Sequence, residues 1–460
     1  MNFASNPFEG VGNLSAPSNS LSLNRRRLQI KQWFQSCRSA TLALFDDVDS
    51  TSFCYQAHPD FSPIGWHLGH IVYTEALWIL ERYAGLSQPF PDYCRLFAQD
   101  GLPKSERHNL PSFSAICAYA QIVRDQVFRY LAVAPIDRQE KLWRFLLQHE
   151  SQHGETIALV LQLQGWRRNW STGIRDWTLD AGLHMTSRFL TSSFEPSPRT
   201  PPPRTPASSS PMIFVPAGSF KLGNDSLDAL DNECPSQMID VNAVWIDRYP
   251  VTCADYRTFI EAGGYQKSEW WSEAGWRWLQ QCPVSHPLYW SDSPDWDTHP
   301  VCGVNGYEAD AYARFVGKRL PTEAEWEKAA RWNPQTGHST TYPWGEALPT
   351  AQHCNHDHWI GHTTPVDAYP AGQSAVGCYD LLGNVWEWTS STFQGYLGFK
   401  PYPYAGYSQA YFDEQHKVLR GSSWTTRPWT LRSTFRNWYH PHVRQVLAGF
   451  RCARSADLAE

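Results

Sequence analysis

Apolar residues follow two different patterns along this chain, and the change between them divides it. From about Leu23 to Leu183 they recur at three- and four-residue spacing, in Leu28-Ile30-Trp33-Phe34 and then in the runs His67 to Tyr83, Ser114 to Val133 and Gln139 to Gln164. That period places an apolar stripe along each of four helices, and helices joined by turns bury such stripes by packing antiparallel as an up-and-down bundle. After Pro211 the period shortens. Met212-Ile213-Phe214-Val215 and Val244-Trp245-Ile246 read as short strands between turns rich in Gly, Pro, Asn and Asp. Helices are predicted there over Thr252 to Ala262 and Tyr307 to Val316. A third starts at Pro321-Thr322-Glu323, where Thr322 and Glu325 satisfy each other's end groups as a capping box.

Between the two patterns lies SSFEPSPRTPPPRTPASSSP, Ser192 to Pro211. It has too few apolar residues to bury and reads as an extended linker. The division is therefore a disordered, Ser- and Asn-rich N-terminus over 1–21, a helical bundle over 22–190, the linker over 191–211, and an irregular α+β domain over 212–456.

A length of 460 residues suits two cores. The net charge of −6 carries no long single-sign run, which argues against nucleic acid or an anionic membrane as partner. No apolar run reaches the ~18 residues of a membrane span, and the first 21 residues lack the basic start and apolar stretch of a secretory signal. Eleven cysteines without a CxxC pair indicate neither a disulfide framework nor a zinc ribbon. The expectation is a cytoplasmic protein with reduced thiols. The 23 Trp, 21 Tyr and 22 Phe suit a stacked core or pockets for flat small molecules.

The chemistry concentrates in Gln148-His149-Glu150-Ser151-Gln152-His153-Gly154-Glu155-Thr156. His149 and His153 stand four apart, so on a helix both rings leave one face and can share a metal. The same residues read H-E-x-x-H, in which Glu150 would be the general base of a metalloprotease. A second cluster, Trp66-His67-Leu68-Gly69-His70, opens another helix of the bundle, and one of its histidines can complete a three-His set. Three neutral imidazoles leave positions open for substrate and oxygen on an octahedral ion, although zinc accepts the same ligands.

WHLGH followed by HESQHGET resembles the DinB-type metal-binding bundles. The second domain resembles the formylglycine-generating-enzyme (sulfatase-modifying-factor) fold, a C-type-lectin-like architecture, through Val215-PAGSFKLG, Asp247-RYPVT, Lys318-RLPTEAEWEKAAR, Tyr342-PWG, Leu382-GNVWEWTSS, Leu419-RGSSW and Gly449-FRCAR. Joined in this order, the two resemble the ergothioneine-pathway sulfoxide synthases, or hercynine oxygenases. The resemblance implies Fe(II) as cofactor and O2 as co-substrate, with formation of a carbon–sulfur bond at the imidazole of hercynine and oxidation of the sulfur. It also implies His70, His149 and His153 as ligands, and it turns Glu150 into a structural residue. Tyr404 matches the proton-donating tyrosine, with Tyr93 as a second candidate. Gln152, Tyr407, Asn437 and Trp438 match the pocket for the histidine derivative, whose quaternary ammonium wants an aromatic face. Lys104 and Arg107 match a pair that grips the carboxylate of the thiol.

Two departures sharpen the picture. Thr426 and Leu431 stand where formylglycine-generating enzymes carry their cysteine pair, so that activity is not expected and the domain is expected to serve as a lid and wall over the iron. Tyr439, counted with the substrate-binding positions, and Val443 stand where the γ-glutamylcysteine-using branch has an Asp and an Arg. Neither pairs an amino-acid head group, which favours free L-cysteine, with γ-glutamylcysteine (through a shift of Arg444) and a selenosugar as alternatives. From other classes, a zinc hydrolase or thiol transferase using the HExxH helix and a binding module remain open.

Overall fold

The computed structural model describes residues 16–169 and 211–456. They form two compact units, the first extending to Leu161 within the last helix of the bundle. The stretch read as a linker lies, up to residue 210, outside the described residues.

The first unit is built on four long helices, α1 (Ala16–Ala43), α3 (Ile64–Glu75), α5 (Phe113–Leu131) and α6 (Ile136–Asn169), with short α2 (Ser50–Cys54) and α4 (Tyr93–Phe97) between them. The N-terminal expectation needs correction, because α1 begins at Ala16 and residues 16–21 are helical. Pro17 sits in the first turn, where its fixed φ and missing N–H fit a helix start. All twelve residues of α3 are buried, and α3 runs on as a π-helix over Ala76–Tyr83. The core between the helices holds Phe34 edge-on to Trp143 at 5.4 Å, with Ile71, Val123, Val127 and Leu142. Each such side chain contributes about 1.5–3 kcal/mol by leaving water.

That core also encloses four charges. Arg38 bonds Glu150 (Nε–Oε1 2.7 Å) and Glu75 (2.9 Å), while Arg124 bonds Glu75 (2.8 Å) and lies 3.6 Å from Glu150. Burial alone would raise the carboxyl of Glu150, but the two guanidiniums more than offset it and hold the group below its ordinary range.

Among the described residues, the second unit contains three small sheets. β1 (Met212–Val215), β4 (Val244–Asp247) and β9 (Ala453–Ser455) form one, in the order β1-β4-β9. β2 (Gly218–Leu222) pairs with β3 (Gln237–Val241). The third is β7-β6-β5-β8, from β5 (Trp386–Thr392), β6 (Lys417–Arg420), β7 (Asn437–Tyr439) and β8 (Ala448–Gly449). Helices α7 (Cys253–Glu261), α9 (Gly306–Phe315) and α10 (Glu323–Arg331) each start with a capping box, from Thr252 and Asp255, Asn305 and Glu308, and Thr322 and Glu325. The helix α8 (Glu273–Gln281) was not expected; only Gly275 and Leu279 of it are buried, too thin a stripe to read from sequence. Buried ion pairs tie the loops to α10: Arg420 bonds Glu323 at 3.0 Å and also Glu327, and Arg436 bonds Glu323 at 2.6 Å.

Candidate functional site

His70 comes from α3 and His149 and His153 from α6, one turn apart on a single face. Their ligand atoms all lie within 4.8 Å of one another. The ring centres are 5.1 Å apart for His70–His149, 4.8 Å for His70–His153 and 4.5 Å for His149–His153. An ion about 2.1 Å from each nitrogen would sit about 3.2 Å from each ring centre, which spaces the centres roughly 4.5 Å apart on an octahedral face and roughly 5.2 Å apart in a tetrahedron. The observed set falls in that range, so the three residues fit a divalent ion without rearrangement.

The other nitrogens of His70 and His153 are already engaged. The Nδ1–H of His70 donates to the carbonyl of Phe97 at 2.6 Å, leaving Nε2 for a metal. Nδ1 of His153 lies 2.9 Å from Nδ1 of His67. A metal on Nε2 of His153 puts the proton on its Nδ1, which then donates to His67. Such outer partners fix tautomer and ring orientation. Burial first, then the neighbouring His70 and the charges of Arg107 and Lys104, lower His67 to about 3; burial lowers His70 to about 4 against the pull of the Phe97 carbonyl. Burial holds His149 and His153 well below the ordinary value as well. All four rings are neutral at pH 7, the state a metal needs.

The spacing of α3 against α4 depends on Gly69. A Cβ there would fall 2.1 Å from Cε1 of Phe97. Trp66 stacks on His70 (4.7 Å, 11°) and donates its indole N–H to Leu96 O. The guanidinium of Arg107 lies 4.0 Å from the Trp66 ring centre and donates to Leu102 O, Ser62 Oγ and Gln99 O. Lys104 donates to Asp60 O at 2.6 Å. Gln152 is half-buried between the two α6 histidines and donates to Gln148 O. Tyr93 packs against Phe97, Phe90 and Tyr119, one ring away from the carbonyl that orients His70. Glu150 belongs to the arginine network and has no role as a base toward the His cluster.

In the second unit a single turn gathers the other candidates. Asp231 accepts from the N–H of Tyr402 (3.2 Å) and from Ser408 Oγ (2.5 Å), so it holds both ends of the loop carrying Tyr404 and Tyr407. The carbonyl of its neighbour Asn232 accepts from Arg436 at 2.7 Å, just before β7 with Asn437, Trp438 and Tyr439. Trp438 stacks on Phe393 (4.4 Å, 7°) and meets the edge of Tyr407 at 6.0 Å. Tyr404 and Tyr439 are half-buried, and Val443 is buried. Arg444 is held by Glu308, with two contacts of 3.1 Å, and by the carbonyl of His286. Thr426 accepts from Ser423 N, and Leu431 packs with Cys354, Leu382 and Tyr342. Both are packing residues.

Sequence reasoning missed the partnership of His67 with His153, the Phe97 carbonyl and the arginine network. The i,i+3 spacing in WHLGH was the signal for the first; the others join segments remote in sequence.

Residues 198–456 match the Sulfatase-modifying factor enzyme 1-like domain, and residues 34–157 match the DinB superfamily. The chain is 38% identical over 435 residues to the "Hercynine oxygenase" of Mycobacterium tuberculosis, covering 90% of this chain and 96% of that protein. To the protein of the same name in Mycolicibacterium thermoresistibile it is 36% identical over 457 residues, covering 94% and 96%. It is also 32% identical over 290 residues to the "Inactive C-alpha-formylglycine-generating enzyme 2" of Mus musculus, covering 53% and 86%.

Proposed function

Because this chain belongs to the hercynine oxygenase family, we propose that it joins the sulfur of L-cysteine to the imidazole of hercynine at a ferrous centre on His70, His149 and His153, with O2 as co-substrate. The enzyme is an oxygenase. The observation that carries the iron assignment is the convergence of three neutral imidazoles, two of them with Nδ1 already engaged. Iron held there supplies the redox chemistry that activates oxygen toward sulfur and carbon. The overall balance is four electrons: two leave as C–H and S–H become C–S, two leave the sulfur, and O2 ends as one sulfoxide oxygen and one water.

The protein's own groups do the rest. Phe97 and His67 hold the ligand rings. Tyr404 delivers a proton to the reacting oxygen, with Tyr93 as the other candidate. Gln152, Tyr407, Asn437 and Trp438 bind hercynine, the aromatic rings facing its quaternary ammonium, and Tyr439 belongs to the part of the pocket that meets the thiol. Arg107, stacked on Trp66, and Lys104 hold the cysteine carboxylate. The preference for cysteine over γ-glutamylcysteine rests on Tyr439 and Val443, and on Arg444 being held by Glu308. No helix among the described residues is long and apolar enough to cross a membrane. We assign the enzyme to the cytoplasm, in keeping with eleven free cysteines.

A zinc hydrolase would need Glu150 beside the metal as base, whereas Arg38 and Arg124 hold it in the core. The test is anaerobic loading with Fe(II), then hercynine, cysteine and air, with mass detection of product and simultaneous oxygen uptake. A sulfoxide conjugate formed only with iron and air is expected. Turnover with zinc and without oxygen consumption would overturn the reading.

A further inference from the structure

Strands β6 and β7 each lead out into a histidine. The antiparallel register sets Lys417 opposite Tyr439, so the next pair outward is His416 and His440. Their ring centres are 3.8 Å apart, tilted by 31°. Asp413 adds a carboxylate, whose Oδ1 accepts from the N–H groups of Gln415 (2.9 Å) and His416 (3.1 Å). Its two oxygens lie 3.0 and 2.9 Å from Nδ1 of His416. Ligand atoms of these three residues lie within 4.8 Å of one another, and the two rings stand closer than the bundle's histidines, so one of them turns outward for both to face an ion. His442 follows on the same side, with its ring nearly parallel to His440 at 5.5 Å. Asp413, His416 and His440 are all half-buried, so an ion from solvent can reach them and lose part of its water there.

We propose that Asp413, His416 and His440 form a second metal site, for a divalent transition ion such as zinc, built from none of the residues of the three-His centre. Two imidazoles and a carboxylate are a ligand set that zinc accepts in a four-coordinate site with water in the remaining position. Residues directly opposite on paired strands stand about 4.5–5.5 Å apart at Cβ, which lets two imidazoles reach one ion. The carboxylate is already oriented by two backbone donors, so little order has to be created on binding. The ion would tie together the outer ends of β6 and β7, the pair that presents Asn437 and Trp438. His416 meets the edge of Tyr411 at 5.4 Å, and Tyr411 in turn lies 5.5 Å from Trp438, so occupation is transmitted by contact to that ring.

The experiment uses the full chain carrying His149→Ala and His153→Ala, which removes two ligands of the bundle, and titrates it with zinc alone under equilibrium dialysis with metal analysis. About one zinc per chain is expected at concentrations on the order of 10 μM, and at least about tenfold weaker binding after further His416→Ala and His440→Ala changes. Bound zinc should also raise the unfolding temperature of the second unit, an effect lost in the same variant. If the double histidine variant is misfolded, Asp413→Asn and His440→Gln are read instead, each with the same expected loss. Absence of zinc from the chain lacking the bundle ligands overturns the site, and so does binding that survives these substitutions.

Discussion

The bundle fixes its candidate ligands on buried helices, with His70 held by a backbone carbonyl and His153 by a neighbouring imidazole. In the second unit, Tyr404 and Tyr407 stand on a loop and Trp438 on a three-residue strand, joined through the Asp231–Asn232 turn. The first arrangement is set by helix packing and admits little adjustment. The second depends on a few polar ties, so its side chains can change while the turn stays.

The sharpest way to break the comparison is at the ligands. His153→Ala or His149→Ala should lower iron affinity by at least about a hundredfold and activity to below about 1%, with the bundle still folded. Metal analysis and oxygen uptake check it; full activity in either variant removes the centre.

Next in size is the brace behind the ligands. Glu150→Ala leaves Arg38 and Arg124 short of a buried partner and should cost about 3–5 kcal/mol. Urea unfolding should show the loss in the transition of the first unit alone. An unshifted transition would mean that the network does not support the bundle.

Acid should separate the units further. In the metal-free protein His67 and His70 titrate at about 3 and about 4, against 6.5 for free histidine. The unfolded chain takes up protons that the folded one refuses. Stability is therefore complete above pH 6.5 and is lost as pH falls toward 4, at about 1.4 kcal/mol per pH unit for each ring. In the second unit His299, His356 and His358, each lowered by burial to about 4, act in the same direction, while Asp357, raised by burial to about 6, and Asp380, raised well above its ordinary value by burial, act oppositely. Its transition should respond less between pH 6 and 4.

The smallest effects concern the second unit's own residues. L-Cysteine should exceed γ-glutamylcysteine in kcat/KM by roughly tenfold, since an unpaired zwitterionic head is costly to bury. Competition at equal concentration decides it, and a dominant glutamyl product would redirect attention to Arg444. Tyr404→Phe should divert product toward thiol dioxygenation with little change in KM. An unaltered ratio would transfer the proton to Tyr93.

Much of this was legible because helices and caps are local. His149 and His153 announce a shared face by their spacing, and Thr322 and Glu325 announce the start of α10. Choosing His70 over His67 came from resemblance, since both lie on α3. The structure puts His70 in the cluster and His67 behind His153. What stayed illegible is non-local. Nothing in Asp231 says that it holds Tyr402 and Ser408, and nothing in Arg38 says that it meets Glu150 across 112 positions. The π-helical turns after α3 likewise have no mark in ALWILERY.

Gly69 gives the metal centre a mutational target that no ligand motif would reveal. In W-H-x-x-H the two x positions look free, yet a methyl group at the second would have to occupy the space of the Phe97 ring. Phe97 is fully buried, so its ring has no open space to move into, and a shift of its backbone would disturb the carbonyl that aims His70. A Gly-to-Ala exchange, among the mildest in the genetic code, would thus act as a lesion in the three-histidine cluster. Natural variation should be stricter at this small residue than at many larger ones nearer the substrate.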